Sequence, residues 1–113
     1  MLFIEYPKCS TCKNIKNALL DAGFSVETRN IVENTPTAFE IKSWHEKSKL
    51  DIKKFFNTSG LKYKELSLKD KLETMTLEEK YELLATDGML IKRPLTIDCD
   101  NVYIAKDVLK LIK

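Results

Sequence analysis

Leu2-Phe3-Ile4-Glu5-Tyr6-Pro7-Lys8-Cys9-Ser10-Thr11-Cys12-Lys13-Asn14-Ile15 is the stretch that decides the fold. Met1 to Tyr6 reads as a buried strand, which Pro7 ends by fixing φ and removing a donor. A helical pattern follows, with Ile15, Ala18, Leu19 and Ala22 recurring on one face up to a stop at Gly23. Cys9 and Cys12 therefore stand at the mouth of a helix. The unpaired N–H groups and the positive end of the macrodipole there favour thiolate over thiol, so the nearer sulfur, Cys9, is expected to ionise below the ordinary thiol range and Cys12 above it. A thiolate attacks disulfides, oxyanions and electrophiles, and a second cysteine three residues on can displace whatever the first captures.

Two other readings compete with a redox pair. A C-x-x-C can be half of a zinc site, but only Cys99 and His45 remain as further ligands and they form no second pair, so no metal site is expected. The two cysteines could also be ordinary buried side chains. The strand–loop–helix setting favours the redox reading over both.

Working outward, Ser25 to Val32 carries Val26, Thr28 and Ile31 and suits a second strand, completing a βαβ unit. Thr35-Pro36 then reads as a helix start with Pro in the first position, the helix running through Lys47 with Ala38, Ile41 and Trp44 inward. Asp51 to Phe56 suits a short helix ending at the loop cluster Asn57-Thr58-Ser59-Gly60. Ser67 is placed to cap a helix through Met75. Thr76-Leu77-Glu78-Glu79 is a capping box, after which Leu77, Tyr81 and Leu84 define an apolar face. Asp87-Gly88 is a turn, and Pro94 confines the next strand to begin at or beside it. A turn at Asp98–Asn101, a strand at Val102–Ile104 and a terminal helix at Lys106–Lys113, with Val108, Leu109 and Ile112 inward, complete a ββα half. The expected architecture is α/β, a thioredoxin-like βαβ plus ββα core (1–34 and 87–113) with an inserted helical block (35–86), all in a single domain spanning 1–113.

The bulk numbers agree with this scale. At 113 residues, with 43% hydrophobic and 32% charged residues, the chain can bury a core without disulfide staples. A net charge of +2 argues against direct nucleic-acid binding, and the locally basic Lys42–Lys54 stretch reads as a solvated face. No apolar run approaches a membrane span, and no signal-peptide pattern opens the chain, so a cytoplasmic monomer is expected, a setting in which C-x-x-C is more often catalytic or sensing than structural.

Tyr6-Pro7-Lys8-Cys9-Ser10-Thr11-Cys12-Lys13, Asn57-Thr58-Ser59-Gly60-Leu61-Lys62-Tyr63 and Asp87-Gly88-Met89-Leu90-Ile91-Lys92-Arg93-Pro94-Leu95 together resemble the ArsC/Spx family over essentially the whole length. The resemblance implies a helical block inserted in a thioredoxin-like fold. It also implies either a thiol-dependent reductase, served by glutaredoxin, thioredoxin or glutathione and needing no bound cofactor, or a redox-switched regulator that binds the RNA polymerase α subunit. It places the nucleophile at Cys9, the resolving thiol at Cys12 and a charge-stabilising arginine at Arg93, with Pro94 in the cis form. Lys8, Ser10, Thr11 and Asn57 join Pro94 as expected binding residues around them.

The sequence departs from the family's arsenate reductases in three ways. Those enzymes place arginine where this chain has Asn57, and another near Tyr103, Ile104 and Ala105, whereas Arg29 and Arg93 are the only arginines here. They typically lack the second cysteine that this chain has as Cys12. An oxyanion is best held by several guanidinium forks, so poor arsenate reduction is expected. The family's polymerase-binding regulators carry a glycine in the helical block near this chain's Ser48, yet Gly60 is the only glycine between 35 and 86. Cys99 reads as structural, His45 as a surface or packing residue, and Lys13 as a flanking charge.

Overall fold

The computed structural model describes residues 1–112; the expected end of the terminal helix at Lys113 lies outside them. Four short strands, β1 (Leu2–Glu5), β2 (Glu27–Asn30), β3 (Leu95–Asp98) and β4 (Asn101–Ile104), form one sheet in the order β2-β1-β3-β4. β1 pairs with β2 in parallel and with β3 antiparallel, and β3 pairs with β4 antiparallel. This is the thioredoxin-like βαβ plus ββα order read from the sequence.

Alternation along β1 divides the core into two layers. Phe3 faces α1 (Ser10–Asp21) and packs with Cys12, Ile15, Leu19 and Val108. Ile4, on the opposite face, joins the larger cluster beneath the helical block, which includes Trp44, Phe55, Phe56 and Leu84. Buried Glu5 lies on the α1 side and meets Lys16 Nζ at 3.2 Å. Along α1 the inward residues are Cys12, Ile15 and Leu19; Ala22, expected inward, is exposed because it follows the helix as its C-cap.

The helical block contains α2 (Ala38–Ser48), α3 (Leu61–Glu65), α4 (Leu68–Lys71) and α5 (Leu77–Thr86), with 3₁₀ turns at Ile52–Phe55, Leu72–Thr74 and Gly88–Leu90. Several boundaries differ from expectation. α2 begins not at Thr35-Pro36 but after Thr37, whose hydroxyl accepts from the Glu40 N–H while the Glu40 carboxylate accepts from the Thr37 N–H. That reciprocal cap outweighs the preference for Pro at the first position. Arg29 from β2 reinforces it with a bidentate pair to Glu40 at 2.7 and 2.9 Å.

Ser67 precedes α4 but makes no side-chain cap, being held at φ 55°, and the expected helix to Met75 breaks into one α turn and one 3₁₀ turn. The capping box at Thr76 and Glu79 forms as expected, although Leu77 remains 48% exposed, so the inward face of α5 is carried by Tyr81 and Leu84. The expected terminal helix is a 3₁₀ segment, Ala105–Leu111, entered through Ala105 at φ 53°; Val108 is fully buried, and Leu109 and Ile112 are partly so. No described helix is long and apolar enough to cross a membrane.

Candidate active site

Cys9 is the N-cap of α1. Its extended backbone, φ −88° and ψ 119°, leaves Sγ facing the first turn, where the Cys12 N–H donates to it at 3.5 Å. No acidic residue occupies that first turn, so nothing competes with a thiolate for the helix end. Partial burial opposes ionisation of Cys9, but hydrogen bonds from Cys12 and from the Thr11 N–H, with the Arg93 charge, hold its thiol below the usual range. Cys12 is fully buried in the α1 layer. Burial, together with its hydrogen bond to Cys9 and the Cys9 charge, pushes its thiol up to about 12. The two thiols are thus shifted in opposite directions, the more accessible one down and the buried one up.

Arg93 reaches the same place from the loop before β3. Its guanidinium lies 5.3 Å from the centroid of the Tyr6 ring, and its Nε and Nη1 are buried without a hydrogen-bond partner. The Arg93–Pro94 peptide bond is cis, as the resemblance implied. Pro94 is buried behind Arg93, and its carbonyl accepts from the Ala105 N–H at 2.8 Å. Expected as a binding residue, it is not among the residues that line the cleft.

Cys9, Thr11, Asn57 and Arg93 line one cleft of about 630 Å³. Lys8 and Ser10 are exposed nearby but are not part of its lining. The cleft's other walls, which include Leu61 and Lys62 from α3, Asp87 and Met89 from the turn after α5, Lys92 beside Arg93, and Ala105, were not read as site residues, although all of these but Ala105 lie in the stretches that carry the family resemblance. Asp87-Gly88 was legible as a turn, and Asp87 does cap it, accepting from the Met89 N–H at 2.8 Å; α3 is too short to announce itself. Arg29 is committed to Glu40, which leaves Arg93 as the cleft's one guanidinium.

The remaining candidates lie outside the cleft. Cys99 is exposed and holds a left-handed position, φ 57°, in the β3–β4 turn. His45 is a packing residue: its ring nitrogens meet Tyr81 Oη at 2.6 Å and the Leu50 carbonyl at 2.8 Å, and its ring stands edge-on to Phe55. Among the described residues no three His, Cys, Asp or Glu side chains cluster as a metal site would require.

Residues 4–108 match the sequence pattern of the ArsC family. The chain belongs to the ArsC family. A relative, the uncharacterised protein YusI of Bacillus subtilis (strain 168), is 52% identical over 104 residues, covering 92% of this chain and 88% of YusI. The regulatory protein MgsR of the same organism is 28% identical over 113 residues, covering 100% of this chain and 88% of MgsR. The crystal structure of an ArsC-family-related protein from Bacteroides fragilis superposes with a TM-score of 0.87 at 50% identity, covering 91% of this chain and 87% of that one. ArsC-family membership thus agrees with the sheet order.

Proposed function

We propose that this ArsC-family protein is a cytoplasmic thiol–disulfide oxidoreductase that cycles between a Cys9/Cys12 dithiol and an intramolecular disulfide. The observation that carries the reading is the asymmetry of the pair: Cys9 opens to the cleft with its thiolate favoured, while Cys12 is buried and held protonated. The Cys9 thiolate attacks one sulfur of a substrate disulfide, and the substrate's S–S bond breaks, expelling a thiolate that takes up a proton. Cys9 is then bonded to the substrate and uncharged. Loss of that charge and of the Cys9 acceptor removes two of the influences that hold Cys12 protonated. Cys12 loses its proton and attacks Cys9 Sγ, releasing the second substrate thiol and forming the Cys9–Cys12 disulfide. An external thiol such as glutaredoxin, thioredoxin or glutathione restores the dithiol, with no bound cofactor.

In this reading Arg93 stabilises the Cys9 thiolate and the expelled charge, and the protein is a poor arsenate reductase because a single guanidinium faces the cleft. The test is trapping. Cys12→Ser accumulates a mixed disulfide between Cys9 and the reductant or substrate, whereas Cys9→Ser accumulates none; trapping only in Cys9→Ser reverses the roles. Efficient glutaredoxin-coupled arsenate turnover by the unaltered chain contradicts the single-arginine argument.

The full-length similarity to MgsR favours a second reading, a redox-switched regulator of the Spx kind that binds the RNA polymerase α subunit. A pull-down with that subunit, run on the reduced and the oxidised chain beside a disulfide-reductase assay, separates the two. Retention of the subunit in one redox state without turnover selects the regulator.

A further inference from the structure

The locally basic stretch Lys42–Lys54 divides in the folded chain. Lys42 pairs with Glu78 at 3.2 Å and Lys47 approaches Asp100 at 3.9 Å, but Lys53 and Lys54 make no ion pair among the described residues. Both line a second depression of about 360 Å³, floored by buried Phe56, and Lys92 lines both this depression and the Cys9 cleft. The shared wall is fixed by backbone: the Lys92 N–H donates to the Phe55 carbonyl at 2.8 Å, and Phe56 bridges Ile91.

Charge is unevenly spread along the combined groove. At the Cys9 end Lys62, Lys92 and Arg93 are opposed by Glu65 and Asp87, and Lys62 lies 3.9 Å from Asp87. At the far end Lys53, Lys54 and Lys92 face only Asp51, whose carboxylate already accepts from the Lys53 N–H at 2.9 Å. Leu61, 78% exposed, stands at the Cys9 cleft. A near-neutral mouth with an apolar residue beside it, leading into a cationic trough with an aromatic floor, fits a polypeptide better than a bare anion.

We propose that this groove docks an acidic segment of the protein whose disulfide Cys9 attacks. The inference rests on the oxidoreductase reading and adds a substrate class to it. The reacting disulfide sits over Cys9 while carboxylates a few residues away lie against Lys53, Lys54 and Lys92. Lys53 and Lys54 do not line the Cys9 cleft, so their contribution is recognition and not chemistry.

The test uses synthetic peptides whose single cysteine is joined by a disulfide to a chromophoric aromatic thiol, with an acidic, neutral or basic run on either side of the cysteine. Cys9 displaces the chromophoric thiolate and forms the mixed disulfide with the peptide. At low salt the acidic peptide is expected to react roughly tenfold faster than the neutral one, an advantage that shrinks as salt is added. In Lys53→Glu/Lys54→Glu the ratio of acidic to neutral rates falls to one or below. Equal rates in the unaltered protein, or a preference that survives the double variant, overturn the proposal.

A cysteine-free acidic peptide followed by backbone NMR separates this failure from that of the oxidoreductase reading. Shifts confined to residues 53–58 and 92–93 support the groove even if Cys9 proves inert towards disulfides. Their absence, or equal shifts with inorganic phosphate or duplex DNA, overturns it.

Discussion

The sheet side of the cleft is held by ladders of strand pairing, whereas the helical side is held by caps, short turns and a few long-range backbone bonds between residues 55–57 and 90–92. β1 is hydrogen-bonded on both edges, and the elements that follow β1 and precede β3 deliver Cys9 and Arg93 to the cleft from opposite directions. Leu61 and Lys62 come instead from a five-residue helix whose shape is local, and Asn57 from a loop whose main tie to the rest of the fold is its N–H donating to the Leu90 carbonyl at 2.7 Å. The difference matches the division of labour in the proposed function: the thiol and the guanidinium ride on parts fixed by the sheet, and the residues proposed to meet a partner ride on parts with fewer long-range ties.

The largest expected effect comes from the sheet side. Phe3 is fully buried in the layer that also holds Cys12, and Phe3→Ala is expected to cost about 3–5 kcal/mol in urea unfolding and to make Cys12 accessible to alkylation. A loss of stability with Cys12 still protected would break the link between that layer and the thiol pair.

Gly88 sits at the junction of the two sides, where an added Cβ would lie 2.2 Å from the Ile31 carbonyl oxygen. Because that obstacle is backbone, Gly88→Ala is expected to destabilise by about 3 kcal/mol. Unchanged stability would mean that the turn after α5 is free to shift, and that the helical side is looser than described.

Glu40 links the sides through Arg29, and that pairing, against some opposing desolvation and with help from the Thr37 cap, holds its carboxyl at about 2, down from 4.5. A lowered carboxyl contributes stability that is fully present above its unfolded value of 4.5 and is lost as pH falls towards 2. Glu40→Gln should cost about 1–2 kcal/mol at neutral pH, allowing for partial exposure, and flatten the acid limb of the stability profile. A variant that keeps the same limb assigns it to another carboxylate. Smallest is the local cap: Thr76→Ala is expected to cost about 1 kcal/mol, with no change in Cys9 reactivity.

The same contrast explains what was legible in the sequence. The strand–helix–strand opening, the Thr76/Glu79 box and Pro94 beside the next strand all carry signals that a long-range fold cannot easily override. The Thr37 cap was hidden by the stronger-looking Thr35-Pro36. α3 and the turns after Ser67 span too few residues to show a period, and over Ala105–Leu111 a three-residue repeat looks much like a 3.6-residue one. In the cleft, Cys9, Thr11, Asn57 and Arg93 were found through the motifs they belong to. Leu61, Lys62 and Lys92 lie in the same motifs, yet their place in the cleft was not legible, because it depends on how the helical block folds back over the sheet.

The asymmetry of the two thiols is tested most directly by the pH dependence of alkylation at each cysteine of the reduced chain, read by mass spectrometry. Cys9 should label first, with a midpoint below that of an ordinary thiol, while Cys12 stays protected well into the alkaline range, in keeping with a thiol pushed up to about 12. Labelling of Cys12 before Cys9, or a Cys9 midpoint at or above that of an ordinary thiol, would contradict this asymmetry.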